Sequence, residues 1–148
     1  VEDTLALMRL YSERCAAAGK VSRMAEMPFF RFMYLSEDEK EANEYPEKAI
    51  TWVRDIGAYR RTITRGDEIN MDLDLWKKTR QDEPRSYESE LANNYFCTPE
   101  QCVERIAELQ SQHGISYFGA NFAFGSMPHD KVMASMKLFA EEVMPKFR

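Results

Sequence analysis

SYFGANFAFGSMPHDK, residues Ser116 to Lys131, decides the fold. It opens as an alternating aromatic run and closes on Met127-Pro128, where a helix can begin. Strand side chains alternate between faces. One phase offers Ser116, Phe118, Ala120, Phe122 and Phe124, suited to lying under a helix; the other offers Tyr117, Gly119, Asn121 and Ala123, smaller and more polar. The pattern predicts a strand over Ile115–Ala123, a loop over Phe124–Met127 and a helix from Pro128 with Val132, Met136, Phe139, Val143 and Phe147 on one face. Helices on one side of a strand and a partly polar interior on the other suit an α/β barrel better than an open sheet. Asn121 then stands near the carboxyl end of a barrel strand, with Gly125-Ser126 in the loop above it, where barrel enzymes place their sites.

The same grammar recurs upstream. Met27–Leu35 (MPFFRFMYL) is dense in aromatics and too short for a buried helix, so it reads as a strand. Ser36 to Glu39 then forms a capping box, and Pro46 opens a second helical stretch with Ala49, Trp52, Val53 and Ile56 as its stripe. Before the strand, Leu5, Met8, Tyr11 (or Ser12) and Cys15 mark an amphipathic helix over Glu2–Ala18 that Gly19 stops. Thr98 to Gln101 is another capping box, with a helix over Pro99–His113 ended by Gly114. Residues 62–95 are poor in apolar side chains and read as an insertion with short helices near 72–79 and 87–94. The fold class expected is α/β: a partial (β/α)8 barrel holding the last two strands and their helices, helix-rich, as one domain over residues 1–148.

Composition bounds the function. The chain has 148 residues, 44% of them hydrophobic and 30% charged, with a net charge of −5. That balance suits a globular domain and invites neither nucleic acid nor an anionic membrane. Cys15, Cys97 and Cys102 are odd in number and lack a CxxC pair, so reduced thiols of a cytoplasmic protein are expected, without a metal. There is no GxGxxG, P-loop, GxSxG or HExxH. Arg31, amid Phe29, Phe30, Phe32 and Met33, needs a carboxylate or an anionic ligand. An interior ion pair is favoured over ligand contact. His113 and His129 read as structural, and Arg60, Arg61 and Arg65 as a solvated face.

Gly125 to Arg148 carries a further signal. GSMPHDKVMASMKLFAEEVMPKFR resembles the carboxyl end of the bacterial luciferase-like flavin-dependent monooxygenases, in which a G-(G/S)-(M/L)-P-H loop leads into a helix ending L-F-A-(E/R)-E-V-M-P. The arginine-bearing strand before an acidic helix, the long insertion and TPEQCVERIAELQSQHGI agree with the same family. The resemblance covers the whole chain but only the family's carboxyl-terminal portion. It implies a TIM-barrel oxidoreductase that uses reduced flavin mononucleotide (FMN), supplied by a separate flavin reductase, and dioxygen to oxidise a small organic substrate. It also implies a mobile segment over the flavin, mapping onto residues 62–95. On these grounds Arg31, Asn121, Phe124, Gly125, Ser126 and Met127 are the candidate cofactor-binding or pocket-lining residues. Most flavin-phosphate machinery of that family belongs to earlier strands. This chain alone is therefore expected to be inactive and not to hold FMN tightly.

A full barrel needs eight strands and about 250 residues. The chain is thus expected to be the end of a longer enzyme, or a partial barrel completed by a partner copy as a homo-oligomer. The alternatives are a non-catalytic half-barrel acting by self-association or as a binding module, and a deazaflavin-dependent hydride-transfer relative.

Overall fold

The strand FFRFMYL is the centre of the molecule. In the computed structural model, which describes residues 2–64 and 86–147, this strand β1 (Phe29–Leu35) has a parallel neighbour on each edge. β2 (Tyr95–Cys97) pairs with its carboxyl half, Met33 opposite Tyr95, and β3 (Phe118–Asn121) with its amino half, Phe29 opposite Phe118. The sheet order is β2-β1-β3. Beyond the end of β3, the N–H of Leu35 donates to the buried Ser135 hydroxyl at 2.8 Å, so the exposed upper edge of β1 is satisfied by a side chain.

Helices lie on both faces. α1 (Glu2–Ala17) precedes the sheet, α2 (Glu39–Glu44) and α3 (Glu47–Thr64) follow β1, and α4 (Tyr87–Asn93) precedes β2. α5 (Pro99–His113) joins β2 to β3, and α6 (His129–Leu138) runs on through a π turn over Phe139–Val143 and a 3₁₀ turn over Met144–Phe147. One sheet face carries Phe29, Met33 and Leu35 against Leu5 and Met8 of α1, Cys102, Ile106 and Leu109 of α5, and Val143. The other carries Tyr34 and Phe96 against Ala49 and Ile50 of α3, with Leu91 of α4 at the margin. Burial of these side chains, at roughly 25 cal/mol per Å² of apolar surface, is the main force holding the helices to the sheet.

The local signals for α1 and α5 hold. Gly19 and Gly114 adopt the left-handed conformation at φ +66° and +63°, and Thr98 and Gln101 form the reciprocal capping box. Several expectations are corrected. Among the described residues there are three strands, not two, because Tyr95-Phe96-Cys97, at the end of the expected insertion, pairs with β1. β3 is Phe118–Asn121 and not Ile115–Ala123, and α3 extends to Thr64, past the expected start of the insertion. The first capping box fails: Asp38, and not Ser36, caps α2, its carboxylate accepting from the N–H groups of Lys40 and Glu41. In α3 the buried stripe is Ala49 and Ile50, while Trp52 and Ile56 are exposed. The helix expected near 72–79, the bulk of the insertion, Arg65 and the Arg61 side chain lie outside the described residues.

Candidate functional site

Loops at the carboxyl ends of parallel strands bring distant residues together, because every strand points its exit the same way. Here the exits of β1 and β3 converge on one carboxylate. Glu41, in α2, accepts from the Tyr34 hydroxyl at 3.0 Å, from the Ser36 hydroxyl at 2.8 Å and from Lys131 Nζ of α6 at 2.5 Å. Tyr45 stacks on Tyr34 at 5.3 Å, and Lys131 lies over the Tyr45 ring at 5.1 Å. Lys131, then Ser36 and Tyr34, hold the Glu41 carboxyl below the usual carboxylate range, and Glu41 in turn raises Lys131. Burial first, then the bond to Glu41, raises the Tyr34 phenol. At neutral pH the group is a fixed carboxylate, a fixed ammonium and a neutral phenol. Such a set is suited to holding α2 and α6 together at the strand exits.

The loop Phe124–Met127 sits beside this cluster. Phe124 does not stay with Phe118, Ala120 and Phe122, as strict alternation predicts. The strand stops at Asn121, and Phe124 turns to the other face, stacked on Phe96 at 5.6 Å and tilted against Phe32 at 5.0 Å. Met127 packs on the same cluster, and its N–H closes the turn onto the Phe124 carbonyl at 3.2 Å. Gly125 has φ +56°, and a Cβ there would lie 2.3 Å from the Ala49 carbonyl oxygen of α3. Ser126 is exposed.

Asn121 ends β3 opposite Phe32 and is exposed, on the same face as Gly119. Gly119 leaves room for a neighbour and not for an open notch: a Cβ there would meet the Phe30 ring at 2.2 Å. Arg31 is not brought to this group. It shares the phase of Phe29 and Met33, facing α1, with its guanidinium 3.9 Å from the Phe29 ring centroid. It donates to the Phe30 carbonyl at 2.7 Å and to Thr4 Oγ1 at 2.9 Å, and burial lowers its pKa. Among the described residues no carboxylate pairs with it, and its partners are a hydroxyl, a carbonyl and a ring face.

The Glu41–Lys131 contact, 90 positions apart, has no trace in a single sequence. Tyr34 was legible only as a strand aromatic. Cys15, Cys97 and Cys102 are free thiols, and among the described residues no cluster of potential metal ligands occurs. Among them, too, no helix is long and apolar enough to cross a membrane.

No family model and no curated relative matches the chain. Among solved structures, the crystal structure of the monooxygenase RslO1 from Streptomyces bottropensis is similar over 99% of this chain, with a TM-score of 0.61 and 20% sequence identity. The chain spans 39% of that protein's length. The likeness is one of fold: a helix-rich α/β arrangement around a parallel sheet.

Proposed function

We propose that this chain is the carboxyl-terminal portion of a luciferase-like flavin-dependent monooxygenase, a barrel enzyme that uses reduced FMN and dioxygen to oxidise a small organic substrate. The observation that carries the reading is the fold shared, along 99% of this chain, with part of a monooxygenase. The motif Gly125–Pro145 supports it independently. In this reading β1 and β3 are neighbouring barrel strands. β2 is only three residues long and covers the upper half of the opposite edge of β1, which leaves Phe29–Phe32 of that edge for a preceding strand.

In this reading the chain supplies only the margin of the flavin pocket. The space at Gly119 is taken by Phe30, that at Gly125 by the Ala49 carbonyl, and α3 covers the sheet face at Tyr34 and Phe96. FMN would therefore be held chiefly by earlier strands, with Asn121 and the Phe124–Met127 loop at the margin of its pocket. The test is a longer polypeptide with the strands upstream of Val1. With reduced FMN and dioxygen it is expected to consume oxygen in a substrate-dependent way, and Asn121→Ala to lower turnover with the melting point nearly intact. An Asn121→Ala enzyme of normal kinetics removes that residue from the pocket; absence of any flavin-dependent oxygen uptake removes the reading.

A further inference from the structure

On the face of the sheet opposite the Tyr34 side chain, a cleft of about 1050 Å³ opens between α1 and α5, at the amino end of β2. Its walls are of two kinds. Leu5, Ala6 and Leu109 are apolar, and Arg9 of α1 and Arg105 of α5 are cationic. The one acid in the lining, Glu108, already accepts from Gln112 Nε2 at 3.0 Å. Arg105 lies with its guanidinium 4.3 Å from the Tyr95 ring centroid and spends one N–H on the Ala92 carbonyl at 3.4 Å. A guanidinium stacked this way keeps its other N–H donors in the plane, fixed in direction. Arg9 is exposed and, among the described residues, has no acid partner. In a chain of net charge −5, two guanidinium groups facing one half-apolar cleft are a local reversal of sign.

A second observation comes from Tyr95. It lines the same cleft and is 2% exposed, yet its hydroxyl makes no hydrogen bond among the described residues. A buried hydroxyl without a partner costs about 1–3 kcal/mol relative to a paired one, and native structures contain few. A phenol hydroxyl beside two guanidinium groups places donors in excess of acceptors on this wall.

We propose that this cleft is a binding site for a small amphiphilic anion, a single apolar ring or short acyl body bearing one carboxylate or phosphate, with Arg9 and Arg105 taking the anionic oxygens and the Tyr95 hydroxyl donating to them. Charge-assisted bonds to guanidinium are the strong class of hydrogen bond, and Leu5, Ala6 and Leu109 receive the apolar body. The site does not rest on the flavin reading, because neither Asn121 nor the Phe124–Met127 loop lines it.

The experiment titrates 4-phenylbutyrate, phenyl phosphate, the neutral 4-phenylbutyramide and inorganic phosphate into the 148-residue chain, following backbone amide shifts by NMR. One or both of the organic anions saturate, with shifts at Arg9, Tyr95 and Arg105 and none at Asn121 or Lys131; which of the two binds tighter identifies the headgroup. The neutral amide and inorganic phosphate bind at least about tenfold more weakly, the difference expected from losing one charge-assisted contact or the apolar body. Arg9→Gln, at an exposed position, weakens the anion about tenfold with an unchanged melting point. Tyr95→Phe gives the sharper outcome: it weakens the anion while leaving the unliganded chain as stable or more stable, since it removes an unpaired hydroxyl. The proposal is overturned if no probe saturates, if the amide binds as well as the anion, or if Tyr95→Phe destabilises the free chain and leaves affinity unchanged.

Discussion

Gly119 in β3 and Gly125 in the loop that follows, six positions apart, answer differently to the same substitution. At Gly125 a methyl group would meet the backbone of α3, at the Ala49 carbonyl, and the residue holds φ +56°. Neither the helix backbone nor the dihedral can yield cheaply: a left-handed non-glycine residue costs about 1–3 kcal/mol, and overpacking adds about as much. At Gly119 the obstacle is the far end of the Phe30 side chain, which is 56% exposed and can swing away. Gly125→Ala is thus expected to lower stability by about 2–4 kcal/mol and Gly119→Ala by less than about 1 kcal/mol, measured by urea denaturation. Equal losses would mean that the loop does not rest on α3 as described. Sequence alone placed Gly125 in the loop after the strand, and that reading was available because turn chemistry is local. The close approach to Ala49 was not, since it joins positions 76 residues apart.

At the scale of elements, α2 and α6 meet through Glu41 and Lys131. Their side chains stay about one third exposed, at 32% and 36%, so solvent and salt screen the pair. Near neutral pH Glu41→Gln is expected to cost roughly 0.2–1 kcal/mol, as partly exposed pairs do. The sign of the pH dependence follows from the lowered Glu41 pKa. The folded carboxyl binds its proton more weakly than the unfolded one, so its contribution is complete above the unfolded value, near 4.3, and disappears as pH falls through the lower folded value. Thermal melts of the parent and Glu41→Gln should therefore differ at pH 7 and converge below about pH 4. A constant difference across that range would show that Glu41 acts by shape and not by charge. Elements also mark the limit of legibility. α1 and α5 could be placed from periodicity and caps, because those signals act within one turn. β2 could not, because three residues carry no period and only pairing with Met33–Leu35 makes Tyr95–Cys97 a strand. Arg31 shows the same limit: its phase was readable, but not which face of the sheet α1 would cover.

For the whole molecule, the two sheet faces are unequally covered. The face bearing Phe29, Met33 and Leu35 is closed by α1 and α5, whereas on the other α3 and α4 reach only the upper half, at Tyr34, Phe96 and Phe124. Below them Phe30 and Tyr117, 6.4 Å apart, are 56% and 54% exposed, with Met27 beside them in sequence at 40%. Contiguous exposed aromatics on a soluble chain mark an interface. The lower edge of β1 on the β2 side adds strand backbone that β2 leaves unpaired, a template for another chain. In the proposed enzyme both would be met by earlier barrel strands; in the 148-residue chain by itself another copy can meet them. The chain is thus expected to self-associate, with mass rising from 17.3 kDa in light scattering as concentration increases. Phe30→Ser, which removes apolar surface without touching the closed face, is expected to shift the association to higher concentration. A folded monomer at high concentration would mean that Phe30 and Tyr117 are stable in water, and it would remove the strongest structural reason for expecting further strands on this face.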